Sequence, residues 1–536
     1  MRADEMARMS RQQVVRLLPA AGPGLLMLAL GLIGAGRPVL SWDEIATADV
    51  ARRTPAQIWH LVQHVDGVFG PYYFLAHFWT SLAGSSPVSL RLPSIVAMAG
   101  AAAVVGALGR RCFGPATGAL AGVLFCLLPG TTRYAAEARP YAFACFFALL
   151  ALFLLERALD RPVPGRWVFY GLAVVFVGLS HLIALTTLAA HAVVMWRRGS
   201  RRTVIRWAAS AGPAFLALGP LFWFGAHQRG AQLSWVPPLT TGVLWKFPGD
   251  VVGSVAAGWL LLGLAVIGLC RPVPHRATLA ALILGPVVTV GLVSWLVAPY
   301  WVPRYLLVVL APLALLAAAG LHDVLFVAPR PAVVRLPVTR PAEAPTPVLV
   351  GAPARSAPPA RAAPPARAAQ PSVAAAPPPA RQRGLVARTG VVLALIACAV
   401  YPAQRAVRSP HAKAGSDYRT AAAIVGHDQQ PGDGVIYTPN SRTMRPGLGS
   451  YLPHGPADLL LARTAASAGE LHAIELPPTA ARLGHTPRLW LLLYGHHQNP
   501  LTVRTDLRTL FEGHFRLDRI WFPRNATLAL YVRDDR

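Results

Sequence analysis

Long apolar runs separated by short polar connections dominate this chain. The runs fall at about 19–36, 90–108, 115–130, 140–157, 166–180, 181–196, 204–224, 250–270, 276–298, 303–327 and 385–403. A helix needs roughly 20 mainly apolar residues to cross the hydrocarbon core of a bilayer. The pattern therefore predicts a polytopic α-helical membrane protein with about 11 transmembrane helices. The first run follows a basic flank (Arg8, Arg11, Arg16), and with so many runs behind it, it reads as an uncleaved first helix rather than a signal peptide.

The connections test this reading. With the N-terminus inside, the cytoplasmic connections are GRRCFG, ERALDRPVPGR, WRRGSRR, CRPVPHR and the tract after 327, and each carries at least two arginines. Positive charge gathers on the cytoplasmic side of membrane proteins. The outer connections are then 37–89, 131–139, 225–249 and PYWVPR. The predicted organisation is a transmembrane module over 1–327 with the outer loop 37–89, a linker over 328–384, a last transmembrane helix over 385–403, and an extracytoplasmic domain over 404–536. The linker (APPARAAPPARAAQ, PPPARQRG) has no period and too little apolar surface to fold, so it reads as a disordered cytoplasmic spacer. The C-terminal stretch DYRTAAAIVGHDQQPGDGVIYTP reads as helix, turn and strand, and LWLLLYG and TLALYVRD are strand-like, which predicts a small α/β domain.

Composition adds little and excludes much. The chain is 54% hydrophobic, only 14% charged, and has a mean hydropathy of +0.44. The net charge of +27 does not point to nucleic acid, because the basic residues sit between apolar runs rather than on one globular face. Five cysteines (Cys112, Cys126, Cys145, Cys270, Cys398) lie in or beside apolar runs with no CxxC pair, so neither a disulfide framework nor a zinc site is expected.

Candidate chemistry lies in the outer connections. SWDEIATAD follows the first run, and Ser41 with Glu44 three residues later makes a capping box, which starts a helix with no need of catalysis. That reading separates the two acids: Glu44 folds back on the cap and Asp43 stays free for a ligand. In TTRYAAEARPYAF, the residues Glu137, Arg139 and Tyr141 stand at the mouth of a span, either as interfacial anchors or as part of a site. Arg304, in PYWVPRYLL, enters a span from the side where positive charge is disfavoured, so an anionic partner is expected. His181, in GLSHLIAL, reads as a polar hinge. A carboxylate can serve as general base to a hydroxyl, and arginines can hold a phosphate as leaving group. No Gly-rich nucleotide loop is present, which suits a donor arriving through the membrane.

The order of these segments carries a resemblance: first run, DE-containing outer loop, PYY…H.W, RLPS, GRRCFG, RYAAEARPYA, and later PRYL. Over about residues 15–325 the chain resembles the GT-C superfamily of integral-membrane glycosyltransferases, in the branch of protein O-mannosyltransferases and aminoarabinose transferases, and looks most like actinobacterial mannosyltransferase-like members. The resemblance implies a polyprenyl-phosphate-linked sugar donor, mannose by default, and a glycan, glycolipid or protein acceptor. It also implies inverting transfer on the extracytoplasmic face of the cell membrane. Asp43 would be the general base. Glu44 would support the loop or bind acceptor, Glu137, Arg139 and Tyr141 would line the donor pocket, Tyr72 would bind substrate, and Arg304 and Tyr305 would lie near the lipid phosphate. The family pattern places a basic residue before prolines ahead of PYY. Here Phe69, Gly70 and Pro71 stand in those places, and His64 and Asp66 are the nearby substitutes. Some members use a divalent metal ion, for which Asp43 and Glu44 are the available pair. Two other readings compete: a flippase or transporter of lipid-linked saccharide, which calls for internal repeats or broken helices with midplane charges, neither of which the sequence shows, and a non-catalytic scaffold binding cell-wall glycan, in which Asp43 is dispensable.

Overall fold

A computed structural model describes residues 2–270, 275–326 and 379–534. The helices follow the apolar pattern: α1 (Arg2–Leu32), α2 (Trp42–Ala51), α3 (Pro55–His64), α4 (Gly70–Ala83), α5 (Pro87–Phe113), α6 (Pro115–Leu127), α7 (Pro129–Ala135), α8 (Tyr141–Asp160), α9 (Pro164–Ser180), α10 (Leu188–Arg198), α11 (Arg201–Ala217), α12 (Gly219–Leu233), α13 (Thr241–Val252), α14 (Val255–Cys270), α15 (Arg276–Leu296), α16 (Leu310–Phe326) and α17 (Pro379–Ala406). The expected linker lies outside the described residues except at its end, where α17 begins at Pro379.

The chain is a multi-pass membrane protein, but fewer of its spans are straight rods than the runs suggested. Among the described residues five helices are long and apolar enough to cross a membrane, or eight if each bent pair is one span, and Leu17–Leu32 and Pro164–Ser180 are shorter apolar helices. The pairs α6–α7, α11–α12 and α13–α14 bend by 68°, 48° and 93°. The first break falls at Pro129 and the second at Gly219–Pro220, where proline removes a helix hydrogen bond. The third falls at Gly253, which takes a left-handed conformation at φ +80°. The run 181–196 opens as a 3₁₀ segment, Leu182–Thr187, before α10, because His181 is extended and interrupts the helix.

Small residues let the bundle close up. A Cβ on Gly106 of α5 would stand 1.7 Å from the Pro19 carbonyl of α1, and one on Gly118 of α6 would stand 2.3 Å from the Arg110 nitrogen of α5. Such contacts replace the hydrophobic driving force that is missing between helices in lipid. At one end of the bundle, Glu156 is buried between Arg111 (3.2 Å) and Arg198 (2.6 Å), and Asp160 takes Arg111 at 2.6 Å.

At the other end, the 37–89 connection is folded rather than loose. Ser41 caps α2 and Thr54 caps α3, both with complete capping boxes. The C-terminal domain adds α18 (Tyr418–Asp428), α19 (Met444–Tyr451) and strands β1 (Gly434–Tyr437), β2 (Ala457–Asp458), β3 (Leu461–Arg463), β4 (Ile474–Glu475), β5 (Arg488–Tyr494), β6 (Phe515–Trp521) and β7 (Ala526–Arg533). The five-stranded sheet runs β2-β1-β5-β7-β6, parallel from β2 to β5 and antiparallel beyond, and β3 pairs with β4. This domain is not a separate body on a tether. One apolar cluster joins Val39, Leu40, Ile45, Ala48, Leu90 and Ala138 of the membrane module to Tyr418, Val425, Tyr437, Trp490 and Leu528 of the domain.

Candidate active site

Two adjacent acids at the start of α2 have separate surroundings. The Ser41 hydroxyl accepts the Glu44 amide at 3.2 Å, and Glu44 Oε2 accepts the Ser41 amide at 3.0 Å. Glu44 is thereby turned into the protein and fully buried, where it accepts Arg91 through Nε (2.7 Å) and NH2 (2.9 Å), Lys413 Nζ (2.7 Å) and the Ala138 amide (3.0 Å). Burial alone would raise its pKa, but Arg91 and Lys413 hold it far below the usual carboxylate range. One residue earlier, about 100° round the helix, Asp43 stays one-third exposed and faces a cavity.

The cavity has a volume of about 460 Å³, within the ~300–1,000 Å³ usual for small-molecule sites. Four arginines line it: Arg139 from the turn after α7, Arg229 from α12, Arg304 from the 3₁₀ segment Pro303–Val309, and Arg442 from the C-terminal domain. Asp43 pairs with Arg139 at 3.4 Å and Arg304 at 3.7 Å. Burial works to raise the Asp43 pKa, and Arg139, Arg304 and Arg442 together outweigh it, leaving the carboxyl below its ordinary value. Aromatic rings hold the two paired guanidinium groups: Phe69 lies 4.4 Å from that of Arg139, and Trp235 lies 4.9 Å from that of Arg304. Arg229 and Arg442 make no ion pair or hydrogen bond among the described residues.

Of the residues singled out in sequence, Asp43, Asp66, Arg139, Tyr141, Arg304 and Tyr305 all reach this cavity. Asp66 adopts a left-handed conformation (φ +56°) and accepts the Tyr73 hydroxyl at 2.7 Å. Tyr305 packs against His181 at 4.8 Å, so the residue read as a hinge lies on the wall as well. Four others do not reach it. Glu44 is enclosed beneath α2. Tyr72 and its neighbour Tyr73 both sit in the apolar cluster of α3 and α4, Tyr72 with Phe143 6.1 Å away and Tyr73 with its hydroxyl on Asp66. His64 is exposed at the end of α3, its Nδ1 2.8 Å from the His60 carbonyl oxygen. Glu137 is buried behind the cavity, where burial raises its pKa against the pull of Lys413.

Sequence reading missed Trp42, Arg229, Gln232, Trp235, Arg442 and Leu471 on the wall, and noted Phe69 only as a departure from the family pattern. Arg229, Gln232 and Trp235 stand in the outer connection 225–249 and were open to discovery by position. Arg442 and Leu471 belong to the distant C-terminal domain and carry no local signal.

The Asp43–Glu44 pair does not suit a divalent ion. Glu44 is already taken up by two cations and two backbone amides and turns away from Asp43's cavity. Among the described residues, no group of three or more His, Cys, Asp or Glu side chains is placed to hold a metal.

A family model described as dolichyl-phosphate-mannose-protein mannosyltransferase matches residues 71–224, which takes in Arg139 and Tyr141 but not Asp43 or the C-terminal domain. No curated protein matches the sequence. Among solved structures, ArnT from Cupriavidus metallidurans in the apo state aligns at a TM-score of 0.55 and 12% identity, over 94% of this chain and 96% of that one. The same protein bound to undecaprenyl phosphate aligns at 0.51 and 13%, again over 94% and 96%. The chain has the fold of the GT-C membrane glycosyltransferases that its sequence resembles.

Proposed function

We propose that this protein is an integral-membrane glycosyltransferase that moves a sugar from a polyprenyl-phosphate carrier to an acceptor hydroxyl on the extracytoplasmic face, with Asp43 as general base. The observation that carries the reading is Asp43 held between Arg139 and Arg304 on a cavity wall. The ArnT structure bound to undecaprenyl phosphate supports a lipid-phosphate donor, and the mannosyltransferase family match makes mannose the first choice of sugar. The arginine-rich connections at the far end of the bundle favour the outward orientation of the cavity.

The proposed step balances in charge. Asp43 takes the acceptor proton, the acceptor oxygen bonds the anomeric carbon from the face opposite the phosphate, and the carbon–oxygen bond to phosphate breaks. The electron pair leaves on the phosphate, which gains one negative charge as Asp43 loses its own. Arg139 and Arg304 are released from the carboxylate when the departing phosphate needs them, so the same two cations serve both states. The acceptor approaches along the side built by Trp42, Arg442, Thr443 and Leu471, where the C-terminal domain borders the cavity.

The test is transfer by purified protein in nanodiscs, using radiolabelled polyprenyl-phosphate-mannose and a panel of hydroxyl acceptors. Wild type transfers label and Asp43→Asn does not. Equal rates for the two would remove Asp43 as base. Movement of intact lipid-linked sugar across liposomes, with no transfer, would favour the flippase.

A further inference from the structure

We propose that Lys413, in the connection between the last membrane helix and the C-terminal domain, is a positioning residue for Asp43, so that docking of that domain completes the active site. The inference rests on the glycosyltransferase reading above.

Lys413 Nζ donates to Glu44 Oε1 at 2.7 Å and to the Ala136 carbonyl at 2.5 Å. It thus bridges α2 and the turn after α7 directly. Two more bonds cross the same seam: the Ala138 amide donates to Glu44 at 3.0 Å, and the Thr47 hydroxyl donates to the Ala138 carbonyl at 3.1 Å. The two sides of that seam carry Asp43 and Arg139, the pair whose 3.4 Å separation defines the candidate base. Lys413 touches neither the cavity nor Asp43, so it acts through Glu44 and the turn.

The main chain keeps the lysine in place. The Val39 amide donates to the Pro410 carbonyl at 2.9 Å and the Trp42 amide to the Ala414 carbonyl at 3.2 Å, so 410–414 runs beside the start of α2. Lys413 is only 7% exposed, and the charged groups facing it are Glu44, Glu137 and Arg91. Glu44 and Glu137 stand against Arg91 and Lys413 in one buried set, and loss of the lysine's proton removes one of its two positive charges.

The residue type supports the assignment independently. Of the 50 basic residues in the chain only two are lysines, Lys246 and Lys413. Arginine never loses its proton in a protein, whereas a buried lysine does so readily. Burial pushes Lys413 down to about 8, against the attraction of Glu44 and Glu137.

The experiment compares wild type, Lys413→Met, Lys413→Arg and, as control, the exposed Lys246→Met. It follows transfer from polyprenyl-phosphate-mannose between pH 6 and 9.5 and hydrogen exchange over 42–51 and 136–140. Lys413→Met is expected to lower kcat roughly 10- to 100-fold, the scale of a displacement of about 1 Å in a reacting group. Its donor KM stays within about twofold of wild type, and both segments exchange faster. Wild type is expected to lose activity as the pH rises past about 8, and Lys413→Arg to keep activity without that alkaline fall. Wild-type kcat and exchange in Lys413→Met overturn the proposal. If Lys413→Met does not fold, the alkaline limb decides: its persistence in active Lys413→Arg overturns the proposal. If wild type transfers no sugar, the glycosyltransferase reading fails, and the exchange data still decide whether Lys413 clamps α2 to the turn.

Discussion

Asp43 and Glu44 share a peptide bond and leave α2 on different faces, Asp43 into an arginine-lined cavity and Glu44 into a buried set of Arg91, Lys413 and backbone amides. The capping box produces the division. Once Glu44 closes on the Ser41 amide, the helix repeat carries Asp43 round to the opening.

The two acids are therefore expected to fail differently. Glu44→Gln leaves two buried cations short of their carboxylate and should cost about 3–5 kcal/mol, the usual penalty for breaking a buried ion pair. Asp43→Asn should cost within ~1 kcal/mol, since its pairs are longer and partly solvated, while transfer falls by about 10²–10⁴. Thermal unfolding in detergent alongside an activity assay checks both.

The arginines set the pH range of the base. Because they hold Asp43 below its ordinary carboxyl pKa, it stays ionised through the acid side of neutrality, and kcat/KM should be flat down to about pH 5. Arg442→Gln removes one of these charges without touching either direct pair, so the acid limb should move upward. A pH–rate profile that does not move would show that Arg442 is screened from Asp43.

Arg304 is expected to bear on donor phosphate. Arg304→Gln should weaken undecaprenyl phosphate binding by about 1.5–3 kcal/mol, the worth of a charge-assisted hydrogen bond, which is roughly 10- to 150-fold in Kd. Ligand-induced stabilisation against heat reads this directly.

Asp66 combines a left-handed backbone with a hydrogen-bonded side chain. Asparagine tolerates that conformation and still accepts the Tyr73 hydroxyl, so Asp66→Asn should stay within ~1 kcal/mol of wild type. Asp66→Ala loses the bond and strains the backbone, and should cost about 2–4 kcal/mol. The difference in unfolding temperature measures it.

At Gly106 the expected effect is on packing alone. An added Cβ meets the Pro19 carbonyl, so Gly106→Ala must separate α1 from α5 at about 1–3 kcal/mol, with the donor KM unchanged.

The sequence reading worked best where the signal was local. Apolar run length placed the helices, Ser41 and Glu44 announced the start of α2, and the strands around GVIY, LWLLLY and ATLALYVR came from short apolar runs between turns. It was weaker where a neighbour decides. Tyr72 and Tyr73 are indistinguishable in sequence, and only the packing of α4 gives the Tyr73 hydroxyl to Asp66 and turns the Tyr72 ring against Phe143.

By itself, the sequence determined that this chain lies in a membrane and where its helices begin, because hydropathy, caps and charge bias act over a few residues; it named ten candidate site residues, and only the packing separates the six on the cavity wall from the four that lie elsewhere. Tertiary structure alone decided that Arg442 and Lys413, hundreds of positions from Asp43, border and brace the same site. Their placement depends on how the C-terminal domain buries its apolar face against α2. That contact is set by the shape and charge of two distant surfaces, which no local pattern encodes.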